Sequence, residues 1–300
     1  MNPWLMLGLS MLAAQVSGIF TKFFTVRYAE NKYARDIYAI ITALGAAIVL
    51  LFWCSDYKVS LFTVLLSIGF GIVTSLQKVF SLNAIATGPW AYTSVISSLS
   101  SLIPTLSGAI FWNEKIVLIQ WIGIALMIVC ILLSSNFKQG GNKASFKWLL
   151  FCAGTFVTTG FIGVMQKIHQ TSEFKGELDM FLIFSFLFSA IFSSFTLTQS
   201  YLKNDKEERV HAKHDIKMVL KLAIIGLLFA CSVCVAVNNK FNLFLSGAMD
   251  SAVFFPLVNG GGLILTTLFS VVIFKERLSV KQWIGLAVGF VAAMCLANPF

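Results

Sequence analysis

The sequence predicts an all-α integral membrane protein whose ten transmembrane helices form two inverted five-helix repeats. Three observations carry that prediction. The chain is 58% hydrophobic and 12% charged, with a mean hydropathy of +0.85, where a soluble domain has about 45–50% apolar and about 25% charged residues. Its charges fall in short clusters between apolar runs of roughly 20 residues, the length that crosses a hydrocarbon core of ~30 Å. One motif also occurs twice. Asn113-Glu114-Lys115 precedes Gln120-Trp121-Ile122-Gly123, and Lys275-Glu276-Arg277 precedes Gln282-Trp283-Ile284-Gly285, 162 residues later. Several identities at one offset in an apolar background mark an internal repeat.

Ten apolar runs follow one another at 4–24, 36–54, 59–86, 91–112, 116–135, 146–167, 178–200, 218–246, 251–274 and 280–297. Each must be helical, because lipid offers unpaired backbone groups no partner. No basic residue precedes the first run, which therefore reads as a retained helix rather than a cleaved leader. The first repeat occupies 1–135 and the second 146–300, joined by a connector at 136–145 that holds Gly140-Gly141. The plainly soluble segment is the charged loop 203–217.

Lys and Arg set the orientation. The connections after odd-numbered runs, with the flanking helix ends, carry 17 of them and the other side carries 5. That bias predicts a cytoplasmic location for the first set and places both termini outside the cytoplasm. The formal charge of +9 therefore reflects topology, and no nucleic-acid partner is expected. The two motif copies follow runs four and nine. Five spans separate them, so they fall on opposite sides of the membrane and the halves are inverted. Lys78 and Lys240 share the 162-residue offset, whereas Lys22 and Lys167, like Gly18 and Gly163, differ by 145. The charged loop absorbs the difference.

The six cysteines lie in or at the ends of apolar runs and read as packing residues. Cys231 and Cys234 form a CxxC without a second pair, so neither a metal site nor a cofactor is expected. His211 and His214 belong to the soluble loop. Trp4, Trp53, Trp90, Trp112, Trp121, Trp148 and Trp283 lie near run ends, as an interfacial belt requires.

Two five-helix halves, each with a Glu-Arg/Lys turn followed by Gln-Trp-Ile-Gly, resemble the EamA-type transporters, the ten-helix branch of the drug/metabolite transporter superfamily. The resemblance covers essentially the whole chain and is strongest over 91–135 and 251–297. Phe274-Lys275-Glu276-Arg277-Leu278-Ser279 is closest to the family pattern. The first copy has Asn113 where Gly is usual and Lys115 where Arg is usual. The resemblance implies a basket of helices around a central cavity and export or exchange of small metabolites, amino acids among them. Related branches carry nucleotide sugars and sugar phosphates. It also implies a structural role for the turn motif.

Ionisable residues inside the membrane are costly and therefore the first candidates for a site. Lys78 and Lys240 lie about eight residues before their run ends, roughly 12 Å deep, with Gln77 beside one and Asn238 and Asn239 beside the other. A lysine toward each mouth suits an anionic or zwitterionic substrate; the competing reading is a stem in lipid with its ammonium at headgroup level. Lys22 and Lys167 lie nearer the run ends, where that second reading is the expectation. In run nine, Pro256, Gly260, Gly261 and Gly262 flank Asn259. Proline removes a backbone donor and glycine removes bulk, so the segment reads as a hinge or cavity lining, against close helix packing. Pro104, among Ser97, Ser98, Ser100, Ser101 and Ser107, is its weaker counterpart. Run one contributes Gln15, Ser17 and Thr21; run six contributes Thr155, Thr158, Thr159 and Gln166.

Asp36, Glu114, Asp179, Asp250 and Glu276 all fall near run ends, so the sequence lacks the usual proton relay. The expectation is a secondary transporter working by alternating access on small polar metabolites, amino acids or similar zwitterions foremost, through facilitated export or exchange. Its alternative is a carrier of phosphorylated or nucleotide-linked anions. An integral-membrane enzyme would need a convergent His, Asp or Glu cluster, and none of the three histidines falls within a run. The expected partners are the metabolite and the lipid bilayer, with a homodimer compatible. Short loops point to a bacterial inner membrane.

Overall fold

The structure, a computed structural model, describes residues 2–28, 32–87, 96–134, 146–203, 222–262, 264–265, 268–269 and 279–297. Its helices are α1 (Pro3–Tyr28), α2 (Lys32–Trp53), α3 (Leu61–Thr87), α4 (Leu102–Phe111), α5 (Leu118–Ser134), α6 (Phe146–Thr171), α7 (Leu178–Lys203), α8 (Leu222–Ala248), α9 (Ser251–Pro256) and α10 (Val280–Ala297). A helical turn at 96–99 precedes α4, and α9 runs into a π-helix over Leu257–Gly261. No strand occurs among the described residues. Most helix ends fall within a few residues of the apolar runs, because chain polarity changes where the chain leaves an apolar environment; the exceptions are α4, which begins at Leu102 within the run 91–112, and α9, which ends at Pro256 within the run 251–274.

Six helices, α1, α2, α3, α6, α7 and α8, are long and apolar enough to cross a membrane, which fits a membrane protein. Their outward faces are apolar as well: Phe52, Leu65, Phe161, Ile191 and Phe229 are exposed. A helix that is apolar on both its inner and outer faces suits lipid rather than water.

The chain divides into two compact units. The first comprises Met1–Met11, Leu76–Thr171 and Leu243–Phe300; the second comprises Leu12–Ser75 and Ser172–Asn242. Each draws on both halves of the sequence. In the first unit α5 packs along α10, and α4 packs on both α9 and α6. Met127, Cys130, Leu245, Phe254, Phe255 and Leu296 lie at its centre. In the second unit α2 packs along α7.

The second unit also contains a seam of small residues between α3 and α7. Ser67, Gly71 and Ser75 recur every four residues and so share one helix face. Ser67 Oγ donates to the Phe181 carbonyl at 3.0 Å, and the hydroxyls of Ser75 and Ser189 lie 3.1 Å apart. Between them, a Cβ on Gly71 would lie 2.9 Å from the Ser185 carbonyl oxygen and 3.0 Å from the Ser189 nitrogen. Two backbones meet here, an approach that only small side chains permit in membrane helices. The hydroxyls remain satisfied within apolar surroundings; Ser67 also donates to its own helix at Thr63 O, 2.6 Å away.

Candidate functional site

Two polar clusters stand out, one in each unit. The first grows from the turn after α4. Asn113 has φ +52°, the one non-glycine residue with positive φ among those described. Asparagine tolerates this left-handed conformation better than most residues. The turn reverses the chain so that Glu114 N–H donates to Gly108 O at 3.3 Å, and the carboxylate lies over Gly108, where any Cβ would collide with it.

Glu114 is thereby held at the junction of three elements. Its Oε1 lies 2.5 Å from Lys167 Nζ on α6. Its Oε2 accepts the Ser251 N–H at 2.7 Å. Lys167 Nζ also donates to Met249 O at 3.3 Å. The two side chains are 5% and 11% exposed. Asp250 occupies the N-cap position of α9 but makes no capping bond with its side chain; Glu114, from another helix, takes that N–H instead. Thr105 Oγ1 donates to Ser251 O at 3.4 Å and closes the joint from α4.

This corrects the expectation that Lys167 reaches toward the headgroups. The apolar run ends at Lys167, but α6 continues to Thr171, so the lysine lies inside the helix with a carboxylate opposite. The same extra turn brings His169 into a helix long and apolar enough to span, contrary to the expectation that no histidine lies within one. His169 is fully buried, with Nδ1 3.1 Å from Gln170 Nε2. Trp148 is buried too, which removes it from the expected interfacial belt; it packs on Ala84 and Cys152.

The proline and glycine segment also lies in the first unit. Pro256 has no N–H to continue the α ladder, and the wider π-helix begins at the next residue. Pro104, Pro256, Gly260, Gly261 and Gly262 are all buried. A Cβ on Gly260 would collide with Met127, and one on Gly261 with Met11. Across the unit, Gly163 of α6 fits against Phe255 and Pro104, 2.9 Å from where a Cβ would lie. Helix break and close packing therefore coincide. Asn259 Nδ2 donates to Phe255 O of its own helix at 3.1 Å. A narrow cavity beside Pro256 is lined by Leu102, Met127, Ile128 and Ser101. Gln77 and Lys78 are half-buried on α3.

The second cluster surrounds Lys240 on α8. Its Nζ lies 2.7 Å from Asp179 Oδ1, 4.3 Å from the centroid of the Trp53 ring, and donates to Trp53 O at 3.4 Å. Asp179 sits in the first turn of α7, where a carboxylate suits the helix dipole. The neighbouring amides turn elsewhere: Asn239 Nδ2 donates to Val235 O at 2.9 Å, and Asn242 Nδ2 to Asn238 Oδ1 at 3.0 Å. Just after α2, the Cys54 thiol donates to Asp56 O at 3.0 Å. Burial pushes that thiol up, the Asp56 contact lowers it, Asp179 raises it and Lys240 lowers it. Glu177 fixes the following loop by accepting the Ser60 N–H at 2.9 Å and hydroxyl at 2.8 Å. Gln15 is half-buried on α1 in this unit. Cys231 packs with its sulfur 3.3 Å from the Tyr38 hydroxyl.

The sequence singles out Lys240 without its carboxylate, Asp179, and offers Glu114 and Lys167 only as separate residues. A usable signal existed: in so apolar a chain, a lysine and a carboxylate near run ends are each costly alone. Lys275, Glu276, Arg277, Trp90, His211 and His214 lie outside the described residues, as does the side chain of Gln282.

No protein-family model matches the chain. An uncharacterized protein of Haemophilus influenzae is 26% identical over 207 residues, which span 66% of this chain and 63% of that protein's length. A crystal structure of another protein superposes with a TM-score of 0.76 at 14% identity, covering 97% of this chain and 94% of that one. That likeness concerns the fold alone.

Proposed function

We propose that the protein is a secondary transporter that moves small polar metabolites, amino acids or similar zwitterions foremost, by alternating access. The observation that carries this reading is which helices pack together. α5 packs on α10, α4 on α9 and α2 on α7. These are the fifth, fourth and second helices of each half. Pairing of sequence-equivalent helices is what two repeats related by an axis in the membrane plane produce. In this reading α4, α5, α9 with its continuation, and α10 join the six longer helices to make ten spans. Both termini face away from the cytoplasm of a bacterial cell, as the basic residues suggest. The resemblance to EamA-type transporters supports the same architecture.

Charge ranks the substrates. Lys167 and Lys240 each have a carboxylate within 2.5 and 2.7 Å. Both clusters are therefore close to neutral, which favours a zwitterion over a phosphorylated anion that would need uncompensated cations.

The test is counterflow in proteoliposomes with labelled amino acids, sugar phosphates and nucleotide sugars, which needs no imposed gradient. Amino acids should accumulate against unlabelled internal pools, and Lys78→Ala should slow exchange on the order of tenfold, the effect of losing about 1.4 kcal/mol of substrate interaction. Accumulation of sugar phosphates alone would replace the substrate class. No accumulation of any compound above protein-free liposomes would end the transport reading.

A further inference from the structure

We propose that the cluster around Lys240 is a recognition site for a primary ammonium group, occupied in this conformation by Lys240 itself, and that a substrate ammonium displaces it. The site's place in a transport cycle rests on the reading above; its binding chemistry does not.

Three different groups converge on one nitrogen: a carboxylate oxygen at 2.7 Å, an indole face at 4.3 Å and a carbonyl oxygen at 3.4 Å. Together they supply charge neutralisation, a cation–π contact and a hydrogen-bond acceptor. The lysine ammonium and that of any primary alkylamine are the same chemical group, so a site built for one accepts the other. The acceptors come from the end of α2 and the first turn of α7, whereas the occupant comes from α8. The occupant can therefore leave without dismantling its cage.

The contacts are also replaceable. Asp179 Oδ1 has no hydrogen bond of acceptable geometry even though the ammonium is 2.7 Å away. Charge, rather than alignment, holds the pair, and a misaligned contact is weaker than an aligned one. The side chains of Lys240 and Asp179 are 18% and 14% exposed, and Trp53 is 43% exposed, so a solute reaches them from the surface. The Glu114–Lys167 joint differs in each respect: it is more deeply buried, and both carboxylate oxygens are engaged.

Displacement selects the ligand. A primary amine replaces the ammonium and lays its alkyl chain on Trp53, beside the Phe241 ring 6.1 Å away. The released Lys240 then presents a positive charge to a carboxylate on the same molecule. An amino acid satisfies both groups at once, a simple amine only the first. A quaternary ammonium has no N–H for the Trp53 carbonyl.

Cys54 reports occupancy, because Lys240 lowers its thiol and Asp179 raises it. In Lys240→Gln the lowering charge is gone, so alkylation of Cys54 by iodoacetamide at pH 8 slows. Bound n-propylammonium restores the charge and speeds alkylation. The measurement is the Cys54 alkylation rate by peptide mass spectrometry, on the full chain in nanodiscs, titrated with n-propylammonium chloride. In Lys240→Gln the alkylation rate should rise saturably with n-propylammonium, whereas in wild type, where one ammonium replaces another beside Asp179, it should change several-fold less. Lys240→Gln with Asp179→Asn, an uncharged pair that keeps the packing, should show no response. Trp53→Leu added to Lys240→Gln, which keeps Asp179 charged, should weaken the response several-fold. Tetramethylammonium should act more weakly, and sodium propionate not at all.

A flat alkylation rate in Lys240→Gln, or an intact response in the uncharged pair, overturns the site. A saturable Cys54 response without counterflow of any compound leaves the site standing and ends the transport reading. Counterflow without that response does the reverse.

Discussion

Lys167→Met will destabilise the protein by about 3 kcal/mol or more, the cost of leaving one buried charge without its partner. The substitution keeps the stem's volume and removes the ammonium that lies 2.5 Å from Glu114. The carboxylate then retains the Ser251 N–H alone. Glu114→Gln should cost a similar amount by stranding the ammonium. The double variant should cost less than the two single changes added together, because no lone charge remains. Exchanging the charges, Glu114→Lys with Lys167→Glu, should not rescue stability. It would set an ammonium against the Ser251 N–H and a carboxylate against the Met249 carbonyl, and both contacts are repulsive. Reversible unfolding in mixed micelles measures all four. Single variants within about 0.5 kcal/mol of wild type, the range of ordinary surface changes, would show that the joint contributes nothing. Rescue by the exchange would reduce it to a simple ion pair.

Gly71→Ala should cost about 1–3 kcal/mol, the usual penalty for overpacking. The added methyl would meet the Ser185 carbonyl oxygen and the Ser189 nitrogen at 2.9 and 3.0 Å. These are backbone atoms of α7 and cannot rotate away, so the helices must separate. The Ser67 and Ser75 contacts on either side would lengthen with them. Gly226→Ala is the control. Nothing lies within 4 Å of its added carbon, so it should be neutral or raise stability by up to ~1 kcal/mol through helix propensity. The same unfolding assay separates the two. If Gly71→Ala matches Gly226→Ala, the α3–α7 seam is looser than its geometry.

The positions of the six long helices were legible in the sequence because apolar run length and the need to satisfy backbone groups in lipid leave few alternatives; α4 and α9 are shorter than the runs 91–112 and 251–274. Pro256 with its glycines likewise announced a break, and a π-helix follows that proline. The small-residue face of α3, Ser67, Gly71 and Ser75, went unread, since nothing local says which helix receives it. What sequence could not supply was distance. Glu114 and Lys167 are 53 residues apart, and Lys240 and Asp179 are 61 apart. Hydropathy also closed α6 too early. Lys167, His169 and Gln170 look like an exit to water, yet all three are buried: Lys167 finds Glu114 and the Met249 carbonyl on other elements, and His169 contacts Gln170 beside it. The two compact units could not be read at all, since each is assembled from both halves of the chain.

The reach of Glu114 has a consequence for biogenesis. The hydrogen bond it accepts comes from a residue 137 positions further along the chain. At a synthesis rate of about 5–20 residues per second, that residue emerges roughly 7 to 27 s later. Until then the carboxylate waits among nascent segments, first without Lys167 and then without Ser251. The contacts of α4 with α9 therefore mature only once most of the polypeptide has left the ribosome, and Glu114 passes through a stage without Lys167 and a longer one without the Ser251 N–H.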